Sequence, residues 1–196
     1  MILSGQFVTL RPLTIEDAEI TLRWRNGPRA RFLQRGSQTV AEQLEWIRHH
    51  SQQDDELNFM MEHTGCCVGM ISLVRINYRH KTAELARLLI GEPEIVGTAP
   101  VVFESELLLG DYVFDTLGFH RLLGDVMEDN LAMIRTRLYL GYVQEGVFRD
   151  HYIFSGEYKS TVIFSLLEDE YRDRCRPRLL QLIGLFSSVS RKPTAS

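Results

Sequence analysis

Three stretches of this chain carry residue types and spacings suited to chemistry. The first is Gly97-Thr98-Ala99-Pro100. Small residues after a predicted strand and before a predicted helix leave room for a phosphate, and a helix N-terminus offers free N–H groups and a partial positive charge. Pro100 suits a first helical position, where its missing N–H costs the helix nothing. The same four residues also make an ordinary tight turn. The second stretch is Trp24-Arg25-Asn26. An indole offers a flat apolar face to a sugar or nucleobase, and a guanidinium can pair a phosphate. Trp24 and Trp46 can equally be core anchors of their helices. The third is Arg149-Asp150-His151-Tyr152, at a predicted strand end and loop, where functional residues often gather. There His151 is a candidate for binding substrate or for serving as a base.

Metal chemistry is not expected. Cys66, Cys67 and Cys175 lack zinc spacing, and neighbours on a strand point to opposite faces, so Cys66 and Cys67 do not act together. His49, His50, His63, His80 and His120 show no ligand spacing either. A net charge of −4 over 196 residues argues against a nucleic-acid partner. No long uncharged apolar run and no signal-peptide pattern is present, so a reduced, cytoplasmic protein without a membrane partner is expected.

These residues must be positioned by the elements around them. The length suits one domain. Phe7–Leu13 reads as an opening strand. A helix follows Thr14, with acids in its first turn and a stop at Gly27-Pro28. Thr39-x-x-Glu42 is a capping box for a second helix. Leu57–Glu62 and Cys66–Asn77 read as a hairpin around His63-Thr64-Gly65. Then come a strand at Lys81–Ile90, the loop Gly91–Ala99 and an amphipathic helix at Pro100–Leu117, with Phe103, Leu107, Gly110, Phe114 and Leu117 on one stripe. A strand at His120–Met127, a helix at Asn130–Leu140 and strands at Tyr142–Arg149 and Lys159–Leu166 close the fold, the last two joined by a loop around Asp150–Tyr158. The tail is expected to fray after about Ser187. The pattern is mixed α/β.

Ala83-Glu84-Leu85, Gly97-x-Ala99, Phe114-Asp115-x-Leu117-Gly118-x-His120-Arg121-Leu122, Asn130, Gly141-Tyr142 and Glu145-Gly146-x-x-Arg149 stand in an order that resembles the GNAT superfamily of acyl-CoA-dependent N-acyltransferases. The likeness runs from about Phe7 to Tyr171 and is to the branch with ribosomal-protein-alanine, polyamine and amino-sugar acetyltransferases. It implies a strongly twisted, splayed mixed sheet flanked by helices. It also implies a single domain over residues 1–171, with 172–196 as a partly flexible C-terminal extension.

The resemblance implies acetyl-CoA as donor, a small-molecule amine as acceptor, and a possible homodimer. By the family pattern, Val96, Gly97, Thr98, Ala99 and Asn130 would contact the cofactor, and Glu84 would be the general base. The competing reading of Glu84 is a strand-face acid paired with Lys81, Arg79 or Arg87. The family's frequent acid, a tyrosine, would fall at Arg137. That residue is either an electrostatic partner of the cofactor or an exposed helix arginine, and Tyr139 is the nearest tyrosine for the acid's role. Trp24, Arg25 and Asn26 resemble the start of the amino-sugar acetyltransferases, which makes an amino sugar, free or nucleotide-linked, the leading acceptor. Leu73-Val74-x-Ile76-Asn77 with His80 and Ala83-Glu84 looks like the spermidine acetyltransferases, so a polyamine is the alternative and a protein N-terminus the third. Glu94 and Val96 stand where the family carries basic residues. A reading of another class is therefore a binding module whose CoA site has degenerated.

Overall fold

The computed structural model describes residues 1–34, 36–154 and 156–189. It holds one sheet of eight strands in the order β1-β2-β3-β4-β5-β6-β8-β7. The first half is a run of antiparallel neighbours: β1 (Leu3–Ser4), β2 (Thr9–Pro12), β3 (Leu57–His63), β4 (Cys66–Asn77) and β5 (Thr82–Ile90). Between β2 and β3 lie α1 (Ala18–Arg25) and α2 (Val40–His50). Thr39 caps α2 as its sequence predicts, accepting the Glu42 N–H at 3.2 Å. The opening strand is shorter than the expected Phe7–Leu13. The cause is Glu104, whose carboxylate accepts the N–H groups of Gln6, Phe7 and Val8 at 2.8, 2.6 and 2.7 Å and holds that segment in a turn.

After β5 come a single helical turn, α3 (Pro93–Val96), and α4 (Val101–Asp111), which continues as a π-helical turn over Tyr112–Thr116. Strand β6 (Arg121–Met127) and α5 (Leu131–Leu140) follow, and the Asn130 side chain caps α5 by accepting the Met133 N–H at 3.3 Å. The closing hairpin is longer than its sequence suggests. Strand β7 runs over Val143–Phe154 and β8 over Glu157–Leu167. The expected loop at Asp150–Tyr158 is instead mostly strand, interrupted by a bulge between Phe148 and Tyr152 with Asp150 at φ +51°.

Residues 172–189 of the expected C-terminal extension are helical, and residues 190–196, where the tail is expected to fray, lie outside the described residues. A π-helical turn (Tyr171–Cys175) leads into α7 (Arg176–Val189), and Tyr171, Cys175 and Leu179 are buried in the main core with α4 and the sheet. Tyr171 stacks on Phe114 with ring centroids 4.7 Å apart. A Cβ at Gly110 would lie 2.5 Å from that tyrosine ring, which is why glycine is needed on this face of α4. A second, smaller core under α1 and α2 contains Trp24, Ile47, Met60, Met70 and Leu89.

Among the described residues, strands β5 and β6 are the one parallel pair in the sheet. They are in register only over Thr82–Glu84 and Arg121–Leu123. Beyond Glu84 they no longer pair with each other, so the expected splay is present. A bulge bends β5 at this point, with Arg87 at φ +55°.

Candidate active site

Two neighbouring cavities open where the strands part, and Ala86, Arg87, Asp125 and Met127 lie on the walls of both. The first, of about 560 Å³, lies along the diverging strands and is lined by Leu88, Gly124, Val102, Asn130, Met133 and Arg137. The second, of about 540 Å³, is lined by Glu84, Asp125, Arg75, Arg87, Tyr152 and Trp46, with Arg25 also on its wall. Both volumes lie in the range of small-ligand sites. A larger open groove between α1 and the tip of the β7–β8 hairpin contains none of the acid and base candidates.

Glu84 sits where the strands begin to part. Its residue is 5% exposed. Burial pushes its carboxyl up to about 7, the nearby Asp125 adding to the rise and Arg75 opposing it. Arg75 reaches it from β4 at 2.8 Å. Arg75 is therefore the partner, rather than the expected Lys81, Arg79 or Arg87. Arg75 and Arg87 both have left-handed backbones, at φ +50° and +55°, in β-bulges. Strict alternation would turn neighbours on a strand to opposite faces. The bulges let Val74 and Arg75 on β4, and Ala86 and Arg87 on β5, line one pocket. Non-glycine residues in this region carry a strain that concentrates at functional sites.

Asp125 accepts a hydrogen bond from the Tyr152 hydroxyl at 2.9 Å. Burial and that carboxylate push the Tyr152 phenol up to about 12, so it stays protonated across the neutral range. Arg87 is held by Glu56 at 2.6 Å and by Asn58 at 2.9 Å, and its guanidinium lies 5.1 Å from the Trp46 ring. Because Arg75 holds the Glu84 pKa down, Arg75→Gln is expected to raise it. The alkaline shift should appear as lost activity at pH 7 that recovers by about pH 9, read from a pH–rate profile.

The other candidates from the sequence divide. Arg25 reaches the Glu84 pocket, whereas Trp24 does not. The Trp24 indole is buried, donates to Glu92 at 2.8 Å and leaves no room for a side chain at Gly91. It is a core anchor, and Trp46 is the indole on the pocket wall. Asn26 spends its side chain on the Leu22 and Ser37 carbonyls and ties α1 to the following loop. His151 stands behind the pocket. It stacks on Tyr152 at 4.0 Å and lies 2.6 Å from the Thr161 hydroxyl, so Tyr152 and Thr161 line the wall in its place.

Asn130 reaches the slot along the strands. Arg137 reaches it too, but it is no exposed helix arginine. It is 4% exposed, paired with Glu106 at 2.6 Å and packed over Tyr142. Tyr139 is half-exposed on the far side of α5 under Arg178 and lines neither cavity, which removes it from the acid's role. In the Gly97 turn, the Gly97 N–H bonds the Pro93 carbonyl and the Ala99 N–H bonds Val96, both at 2.9 Å. Those two donors are spent within the turn, so Gly97-Thr98-Ala99 is not the open cradle its composition suggests. The first turn of α4, from Val101 to Phe103, supplies N–H groups without intrahelical partners. Arg29 and Arg31, from the turn after α1, line the slot and bring the positive charge that the loop lacks. Sequence spacing gave no sign of these two arginines. Asp125 had one, an acid within an otherwise apolar strand.

Among the described residues no group of histidine, cysteine and acidic side chains forms a metal site, and no helix is long and apolar enough to cross a membrane.

Comparison with known proteins agrees with the splayed sheet. The acetyltransferase (GNAT) domain family matches residues 8–143. The spermidine N(1)-acetyltransferase of Escherichia coli K12 is 25% identical over 170 residues, covering 86% of this chain and 90% of that protein. A GCN5-related N-acetyltransferase from Brucella melitensis superposes with a TM-score of 0.78 at 26% identity, over 92% of this chain and 84% of the other. A spermidine N-acetyltransferase mutant from Vibrio cholerae shares the fold with a TM-score of 0.73 at 23% identity, over 86% and 98% of the chains. With its parallel strands parting at a buried glutamate and a family match over more than half its length, the chain belongs to the GNAT family of acyl-CoA-dependent N-acetyltransferases.

Proposed function

We propose that this chain transfers an acetyl group from acetyl-CoA to the primary amine of a small molecule, with Glu84 as general base. The observation that carries this reading is a buried carboxyl, poised near 7, at the point where the two strands part. The slot lined by Asn130 and Arg137 would take the pantetheine arm, since strands that have stopped pairing with each other leave backbone edges for its amides. Arg29, Arg31 and the first turn of α4 would face the phosphates. The amine would enter from the Glu84 pocket.

The donor supplies an activated carbonyl. Glu84 takes the proton from the ammonium, directly or through one water. The freed nitrogen lone pair attacks the carbonyl carbon. A C–N bond forms and the C–S bond breaks, the nitrogen loses its second proton to solvent to give the neutral amide, and the departing thiolate takes a proton from solvent. No described tyrosine is positioned to supply that proton from the slot, as Tyr139 faces away.

Among acceptor classes, the relatives favour a polyamine over an amino sugar, since the curated relative from Escherichia coli is named for spermidine. Trp24 and Asn26, which suggested the amino sugar, lie outside the Glu84 pocket. Thiol release from acetyl-CoA in the presence of spermidine and other primary amines tests the reading. Amine-dependent release supports it. Absence of release with every amine, from protein that binds acetyl-CoA, overturns it.

A further inference from the structure

One guanidinium of the Glu84 pocket, that of Arg25, makes no ion pair among the described residues. Among the described residues it contains three carboxylates, Glu56, Glu84 and Asp125, and three guanidiniums, Arg25, Arg75 and Arg87. Two of the guanidiniums are engaged by those carboxylates. Arg75 binds Glu84 at 2.8 Å and approaches Asp125 at 4.0 Å. Arg87 binds Glu56. Arg25 has no carboxylate partner among the described residues. Its Nη2 donates to the Gln34 carbonyl at 2.8 Å, and among the described residues no other hydrogen bond engages its five N–H donors. Burial and the neighbouring Arg87 act against its charge. A desolvated guanidinium of this kind is stabilised by an incoming anion.

We infer that the acceptor is an amine carrying a carboxylate or phosphate at its other end, which Arg25 receives while the amine lies at Glu84. This rests on the reading of the pocket as the acceptor site, and it sets the acceptor apart from the polyamine that the relatives' names favour. The charges support the distinction. Once the attacking nitrogen has lost its proton, spermidine still carries ammonium groups. The pocket offers them no carboxylate that is not already shared with an arginine, and Arg25 repels them. An acid-bearing amine instead leaves one anion, and Arg25 complements it. Trp46, Phe32 and Met127 supply apolar wall for the chain between the two ends.

The test is a comparison of kcat/KM for 6-aminohexanoate, 6-aminohexyl phosphate, hexylamine and spermidine, at saturating acetyl-CoA, in wild type, Arg25→Gln and Arg25→Lys. The expected wild-type result is at least about tenfold preference for one of the acidic amines over both hexylamine and spermidine, about 1.4 kcal/mol of differential transition-state binding. The better of the two identifies the acid. In Arg25→Gln the ratio of acidic amine to hexylamine should fall to about one, and Arg25→Lys should restore part of it. A wild-type preference for spermidine or hexylamine would overturn the inference while leaving the acetyltransferase reading intact. So would an Arg25→Gln loss shared equally by all four amines. Absence of turnover with every amine would overturn the acetyltransferase reading itself.

Discussion

Replacing Glu84 with Gln should lower kcat by roughly 10²-fold or more, because a positioned general base contributes about 10²–10⁴. The isosteric amide keeps the side-chain volume but has no free carboxylate to take the proton. The sign of the pH dependence follows from the pKa. Glu84 acts as carboxylate, so activity of the wild type should rise as pH passes through about 7. In Glu84→Gln that limb should vanish, leaving any limb due to the amine itself. Acetyl-CoA affinity should stay close to wild type, since the slot is lined by other residues. A Glu84→Gln protein with wild-type kcat and the same limb near pH 7 would remove Glu84 from the chemistry.

The second large effect concerns stability. Arg137→Met should destabilise the fold by about 3–5 kcal/mol, the usual cost of stranding one member of a buried ion pair. Glu106 and Arg137 are 4% exposed each, and Glu106 Oε1 has no hydrogen-bond partner among the described residues. Without Arg137, the Glu106 carboxylate is buried with no counter-charge. For a domain of this size the loss corresponds to a fall in Tm of roughly 10 °C. Glu106→Leu combined with Arg137→Met should recover much of it, because a well-packed apolar pair often equals a buried ion pair. Additive losses in the double variant, measured by thermal unfolding, would show that the pair is not the source of the effect.

The elements were largely legible from the chain because their signals are local. Thr39 and Asn130 cap their helices as their types predict, and the stripe from Phe103 to Phe114 runs along α4 and into the π-helical turn that continues it. Glu84 was legible as well, but only through its resemblance to a family pattern, and its partner Arg75 was not. The reason is the pair of bulges. Each reverses the facing of the residues after it, which strict period-two reading cannot anticipate. The third bulge, near Asp150, misled in the same way. It hid the continuation of β7 and directed attention to His151, one residue before the Tyr152 that lines the pocket. The burial of Arg137 was hidden for a different reason. Its partner Glu106 lies 31 positions away on α4, and a buried ion pair between two helices leaves no local trace. Arg29 and Arg31 likewise reach the slot through the chain path around α1, not through spacing from Gly97.

The measurement that tests the central claim most directly is the thermal midpoint of the wild-type chain with and without acetyl-CoA. The slot between β5 and β6, its arginines and the start of α4 should bind the donor despite the closed turn at Gly97. At about 100 times its dissociation constant, a ligand selective for the folded state adds roughly 2.7 kcal/mol. For a domain of this size that is an upward shift of roughly 5–10 °C. A shift of that size with acetyl-CoA, and a comparable one with CoA, is the predicted result. An unchanged midpoint up to millimolar acetyl-CoA would contradict the account and favour a binding module on this fold in which the donor site has been lost.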